Sequence, residues 1–488
     1  MRALSSLMVP LSVLVANASG LAIQLLLPRF LLPTDYAEFA GLWAMGMAVA
    51  ALAYEWLRFG VIRFAVGSDA DTGERRRTLA VGYLGVTALM LAVGAGGCVV
   101  ATFGEAGPWV ALTALFVAAQ GLFEGRQALA RAEFRHRTFS LAWNVRSLIS
   151  LVCVLLSAWY TRSGMISFLA LSISYIATGI VLDARSIAAL RLRDFSGATQ
   201  FRFVFRFGFF AAMGAAMTAF APALVRLHAA VHLTDGRAGG LLLGLDLAQK
   251  AIAVAGMAVN IVVMQRTIHA AEFGNPAQML RQNGLQIAAA FSVVLPAAVG
   301  FQLMQPLFAQ HLVPAAYRDS YDAAIPIACA ASALICLRLF ALDPLFVAAR
   351  RTDLLLISPV VVLVFTIGSL AVIDVLEQEA DIRSILLIVL FSNLAGLVTA
   401  SLVLFPLVRV AWPLVDMAKA VVATVMMAVP IRALLSPTSS EIGIVILVAG
   451  AFAYATTALA LDLCGVRTLL FKPKNSDLPP PDRNNISS

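Results

Sequence analysis

The sequence predicts an all-α membrane protein of about fourteen transmembrane helices, and three observations carry that prediction. Of 488 residues, 61% are hydrophobic and 13% charged, with a mean hydropathy of +0.89. A soluble domain of this size has no use for so much apolar surface. Apolar windows of about 20 residues, the length that crosses a hydrocarbon core, recur fourteen times. The basic residues gather in alternate breaks between those windows, as cytoplasmic loops require. The formal charge of +8 and pI near 9.5 therefore express membrane sidedness, and no nucleic-acid partner is expected.

Taken in order, the first window (5–27) follows Arg2 and contains Ala16-Asn17-Ala18, which imitates a signal peptide with its small-residue cleavage site. The apolar run continues to Leu27, so it reads as an uncleaved first helix. Windows at 37–57 and 79–103 enclose the run GSDADTGERRR (67–77), a solvated basic turn. Those at 108–127 and 138–159 are separated by a break crowded with Glu124, Arg131, Arg135 and Arg137, and 164–184 follows. Six more lie at 205–227, 239–263, 285–308, 322–343, 354–373 and 382–407, with a last pair at 413–433 and 441–463. The longest inner connection falls between the sixth and seventh windows. The division is a six-helix lobe (1–184), a cytoplasmic connection (185–204), a second six-helix lobe (205–407), two additional helices (408–465) and a disordered cytoplasmic tail (466–488). That tail, from Lys472 onward KPKNSDLPPPDRNNISS, is polar and Pro-rich.

Charge tests the map independently. With fourteen spans, 26 of the 35 Lys and Arg fall on the side of the termini, six on the other, and Arg146, Arg226 and Lys250 lie within spans. Both termini are therefore placed in the cytoplasm. The loops are short, which leaves no room for an external catalytic domain or a nucleotide-binding domain. No phosphate loop, H-E-x-x-H or G-x-S-x-G occurs, and no enzyme activity or cofactor is expected. The five cysteines, Cys98, Cys153, Cys329, Cys336 and Cys464, all fall in apolar stretches without metal or redox spacing and read as small core residues.

The polar residues inside the spans are the informative ones. The eighth span carries Asp246, Gln249, Lys250 and Asn260 near one helix face. A charge near the bilayer centre costs roughly 2.5–3.5 kcal/mol, so this face should meet a bundle interior or a watery path. Asp246 and Lys250 at i,i+4 could also simply neutralise each other. The first span adds Asn17 and Gln24, the second ends with Glu55 and Arg58, the fifth holds Arg146, and the seventh ends with Arg226 and His228. For Arg58 and Arg226, snorkelling to the interface is an equal alternative; for Arg146, pairing with Glu124 or Glu55. His228 and His232 have an i,i+4 spacing able to bind zinc, but no third ligand is near in sequence, and they read as an interfacial pair without metal. A faint repeat links LPRFLLPTDYAEFAGLW (27–43) with LVRLHAAVHLTDGRAGGLL (224–242), pairing Arg29 with Arg226 and Thr34-Asp35 with Thr234-Asp235. It implies two related lobes with substrate between them.

Three patches carry a resemblance to a known family. RFLLPTDYAEF (29–39) is similar to a turn of the pattern arginine-leucine-leucine-glycine-proline-x-x-tyrosine-glycine-x-phenylalanine, with Leu32 and Ala37 in place of the two glycines. GLLLGLDLAQK (240–250) is similar to a glycine followed by Asp-x-Ala-Gln-basic, with Leu242 where a tyrosine is common. Pro314-Ala315-Ala316-Tyr317 resembles the outer turn before the tenth helix. Together they resemble the polysaccharide (O-antigen and exopolysaccharide repeat-unit) flippases of the multidrug/oligosaccharidyl-lipid/polysaccharide exporter superfamily. The resemblance implies two pseudo-symmetric lobes around a central, often cationic cavity in a bacterial inner membrane. It implies transfer of undecaprenyl-diphosphate-linked oligosaccharide from the inner to the outer leaflet of the bilayer. Polysaccharide polymerase and chain-length proteins would be its partners.

On this reading Lys250, Arg226, Arg58 and Arg146 attract the diphosphate or acidic sugars, while Asp246 and Glu55 balance charge or take a coupling proton. Asn17, Gln24, Gln249 and Asn260 hydrogen-bond sugar hydroxyls. A lipid II flippase of peptidoglycan synthesis shares topology and cationic cavity. A multidrug extruder of the same superfamily should have twelve spans and an aromatic or acidic pocket, and a membrane polymerase or ligase should have a long outer loop.

Overall fold

The structure is a computed structural model, and it describes residues 2–64, 70–102, 104, 106–132, 135–188, 198–233, 236–259, 263–375, 381–434 and 443–465. Among them every regular element is a helix. The first six are α1 (Arg2–Leu26), α2 (Pro33–Phe64), α3 (Ala70–Val100), α4 (Ala106–Ala132), α5 (His136–Thr161) and α6 (Gly164–Ala188). Then come α7 (Ala198–His232), α8 (Arg237–Val259), α9 (Gln265–Phe273), α10 (Pro276–Leu303), α11 (Gln305–His311) and α12 (Ala315–Leu337). The chain ends with α13 (Asp343–Ala348), α14 (Ile357–Val375), α15 (Ile382–Leu404), α16 (Leu414–Leu434) and α17 (Gly443–Ala460). Eleven stretches among the described residues are long and apolar enough to cross a membrane, and α6 and α17 carry shorter ones.

Several helices outrun their apolar windows, because a helix continues into water wherever its backbone stays bonded. α2 passes residue 57 to Phe64, α7 starts at Ala198 rather than 205 and runs to His232, and α3 opens at Ala70 inside the expected basic turn. The largest departure is at the tenth window. α12 does not end near 343 but passes through a π-helical turn, Arg338–Leu342, into α13. Elsewhere the ends have ordinary causes. Asn275 caps α10, its side chain accepting from Gln278 N at 2.8 Å with Pro276 behind it, and Asp381 caps α15 in the same way. Pro222, Pro296, Pro326 and Pro430 sit inside helices, tolerated where neighbours re-satisfy the backbone.

The packing repeats. In the first set α1 lies on α5, α5 on α6, α3 on α4, and α4 on both α2 and α6. The second set reproduces this with α7 on α14, α14 on α15, α10 on α12, and α12 on both α8 and α15. Two pseudo-symmetric lobes follow, and α16 and α17 dock on α10 through Met304, Met427, Ile431 and Ile446. Across the lobes the repeat is broken: α2 packs along the length of α7, whereas its counterpart seam, α1 against α8, is sparse. The expected equivalence of Arg29 and Arg226 is not kept. Arg29 is exposed in the turn after α1, Arg226 is inside α7, and Thr234 and Asp235 lie outside the described residues, as does the tail 466–488. Apolar side chains such as Leu156, Val364, Leu402, Val425 and Phe452 stand exposed on the outside of the bundle, the face lipid would cover. Cys98 is exposed among them rather than in the core; only Cys329 and Cys336 are fully buried.

Candidate functional site

The three sequence patches meet at one end of the bundle. Tyr317 Oη of α12 donates to Leu31 O at 2.9 Å, and the Tyr36 and Tyr317 rings meet edge-on at 5.9 Å. Arg29 Nη2 donates to His311 O at 3.4 Å. Two glycines opening α8 make the approach possible. A Cβ on Gly239 would lie 2.4 Å from Pro33 O, and one on Gly240 2.5 Å from Tyr317 O. At the opposite end α2 and α7 close as tightly, with Gly208 under the Trp56 carbonyl and the Trp56 and Phe205 rings 5.3 Å apart.

Between these two ends lies Asp246 of α8. Arg226 Nη2 of α7 makes a close ion-paired hydrogen bond to its carboxylate, and the Tyr36 hydroxyl of α2 donates to its other oxygen at 3.5 Å. Arg226 Nη1 turns back to Pro222 O at 3.2 Å. The pair is 12% and 9% exposed, so both charges are largely buried. Arg226 is not a snorkelling residue at a helix end, since α7 continues past it to His232. Asp246 makes no ion pair with Lys250, its carboxylate being turned to Arg226, though its charge still acts on the ammonium.

Lys250 faces the other lobe. Successive helical residues diverge by about 100°, so Gln249 lines a cavity inside the second lobe while Lys250 crosses toward the first. Its Nζ lies 5.6 Å from the Trp43 ring centroid of α2. It approaches α1 so closely that a Cβ on Gly20 would lie 2.3 Å from it. Asp246 of its own helix and, more weakly, Arg146 of α5 act on it through their opposite charges. Arg146 itself is held by aromatics, its guanidinium 4.9 Å over Phe123 and 4.8 Å over Tyr175, with Nη1 donating to Tyr175 Oη at 3.1 Å. The expected partners are engaged elsewhere: Glu124 accepts from Gln120 at 2.9 Å, and Glu55 pairs with Arg58 at 2.9 Å. Neither Lys250 nor Arg146 makes an ion pair among the described residues.

Of the other sequence candidates, Gln24 is buried with Oε1 unpartnered and Asn17 is half-buried in α1. Arg58 is half-exposed and tied to its own helix, so its pair with Glu55 contributes little. Asn260 lies outside the described residues. Sequence reasoning missed Arg338, which lies in the tenth window and was counted only among the span-end charges on the side of the termini. The π-helical turn carries it into the bundle, where it is 4% exposed. Its Nη1 donates to Ser358 Oγ at 3.3 Å and Nη2 to Thr218 Oγ1 at 3.4 Å, while Nε has no acceptor. With Arg226, Gln249 and Asn393 it lines a cavity of about 90 Å³. The available signal was the apolar run LFALDPLFVAA that follows it.

An all-helical bundle of two like lobes, with charges buried where the lobes meet, defines a class of membrane protein, and comparison with solved structures gives the fold. The chain is similar to the structure titled lipid II flippase MurJ, inward closed conformation, with TM-score 0.72 and 11% identity over 96% of this chain and 99% of that one. It is similar to an inward-facing multidrug resistance MATE family transporter of the MOP superfamily, with TM-score 0.55 and 16% identity over 83% and 95% of the two chains. At these identities the likeness is one of fold alone, the fold shared with these two structures. No protein-family model matches the sequence, and no curated protein matches it.

Proposed function

We propose that the protein is a fourteen-span flippase of the bacterial inner membrane, both termini cytoplasmic, carrying undecaprenyl-diphosphate-linked oligosaccharide repeat units to the outer leaflet for surface polysaccharide. The observation that carries this reading is the pair of unneutralised cations at the lobe junction, Lys250 and Arg146. Cations held in a largely buried site without an ion-paired carboxylate of their own are complementary to a diphosphate, and would repel the cationic drugs an extruder expels. Arg226 and Asp246 form the neutral latch joining α7, α8 and α2 rather than a head-group clamp. Gln24 and Gln249 offer amide groups to sugar hydroxyls.

A lipid II flippase is the second reading, favoured by the 99% coverage of the MurJ structure. One experiment separates them. The gene is deleted or depleted, and undecaprenyl-linked glycans are extracted alongside surface polysaccharide. Accumulated repeat units with surface polymer lost support the first reading. Accumulated lipid II with growth arrest supports the second. Unchanged glycans with altered drug tolerance would overturn both in favour of the extruder.

A further inference from the structure

The histidine pair of α7 gains in three dimensions the third ligand it lacks in sequence. Asp374, near the end of α14, brings Oδ1 to 3.8 Å from His228 Nδ1 and 3.9 Å from His232 Nε2. All three ligand atoms lie within 4.8 Å of one another. The two imidazoles stack with centroids 4.1 Å apart at 24°.

We propose that His228, His232 and Asp374 form a binding site for a divalent transition-metal ion, zinc foremost, bracing the end of α7 against α14. Two imidazoles and a carboxylate are a borderline donor set suited to zinc. Tetrahedral ligand atoms at zinc bond lengths stand about 3.4 Å apart, so the two histidine–aspartate gaps close by roughly half an ångström and the histidine–histidine gap by up to about 1.4 Å. His232 already has the supporting contact such a ligand needs. Its Nδ1 meets His228 O at 3.1 Å, which fixes the proton there and leaves Nε2 free. His228 presents Nδ1, its Nε2 being turned inward without a protein acceptor. His232 and Asp374 are about half exposed, so the ion has a route in and a water completes its shell. The site is independent of the cargo carried between the lobes.

The test uses the full chain, purified without an oligohistidine tag, stripped with chelator and titrated with cobalt chloride. Wild type should bind one cobalt with the visible absorption of a tetrahedral ion, released by equimolar zinc, and zinc should raise its thermal midpoint. Asp374→Asn and His232→Gln should each weaken binding more than about tenfold and abolish the zinc-dependent shift. Wild type that binds no cobalt, or variants that bind as wild type does, would overturn the site. Should a variant fold poorly, wild type decides alone. Zinc must protect His232 from carbethoxylation by diethylpyrocarbonate, and modification unchanged by zinc sinks the proposal.

Discussion

Each buried charge has a distinct role. On the proposed reading Lys250 binds a head group, and one charge-assisted contact is worth about 1.5–3 kcal/mol, or roughly ten- to a hundredfold in affinity. Lys250→Ala should therefore abolish export while the protein stays in the membrane at normal levels; export at the parental rate would remove the residue from the site. Gly20→Ala keeps the charge but pushes Nζ off α1, and should give a smaller loss in the same assay. Arg226 and Asp246 should behave differently. Arg226→Met or Asp246→Leu alone strands a buried charge and should cost about 3–5 kcal/mol, whereas the double variant recovers most of it. Unfolding in detergent measures all three. The sequence showed that Asp246, Lys250, Arg226 and Arg146 were costly enough to need partners. It could not show which partners, because Tyr36, Trp43, Phe123 and Tyr175 arrive from other helices by tertiary packing.

For whole helices, hydropathy located the elements well and their ends badly. An apolar window reports where lipid begins, not where backbone hydrogen bonding stops, hence the overruns of α2 and α7. The π-helical turn after α12 was invisible for a related reason: an arginine at the edge of an apolar window looks like a loop residue whether or not the chain turns there. Glycines were the better guide to function. Gly239 and Gly208 stand where α2 meets α8 and α7 at opposite ends, so a side chain at either should favour opening at that end. Gly239→Val should raise labelling of Trp43→Cys, beside Lys250 at the lobe junction, by an impermeant maleimide added outside, in a chain lacking the native cysteines. Unchanged labelling would mean that the Pro33 end is no gate.

Across the whole molecule, the ends that touch are those that alternating spans put on one side: Leu31 with Tyr317, Asp35 with Gly164, Pro33 with Gly239, His232 with Asp374. Alkaline phosphatase fused after Asp374 should therefore be active and after Gly274 inactive, and the reverse pattern would invert the proposed orientation. The two-lobe plan was legible only faintly in sequence, since the repeat survives in helix packing and hardly at all in residues. Arg29 and Arg226 align in the sequence patches but occupy different places in the structure, one in the turn after α1 and the other inside α7.

If the cargo is the lipid-linked one proposed above, the unequal seams have a consequence for its tail. Drawing a polyprenyl chain into water costs about 0.8 kcal/mol for each methylene-sized unit, tens of kcal/mol for a long one. If the sparse α1–α8 side parts toward lipid, the tail never leaves the hydrocarbon and only the hydrated head traverses the protein. The work of turnover is then set by the head alone, and carriers with shortened tails should cross at the same rate once they are in the bilayer.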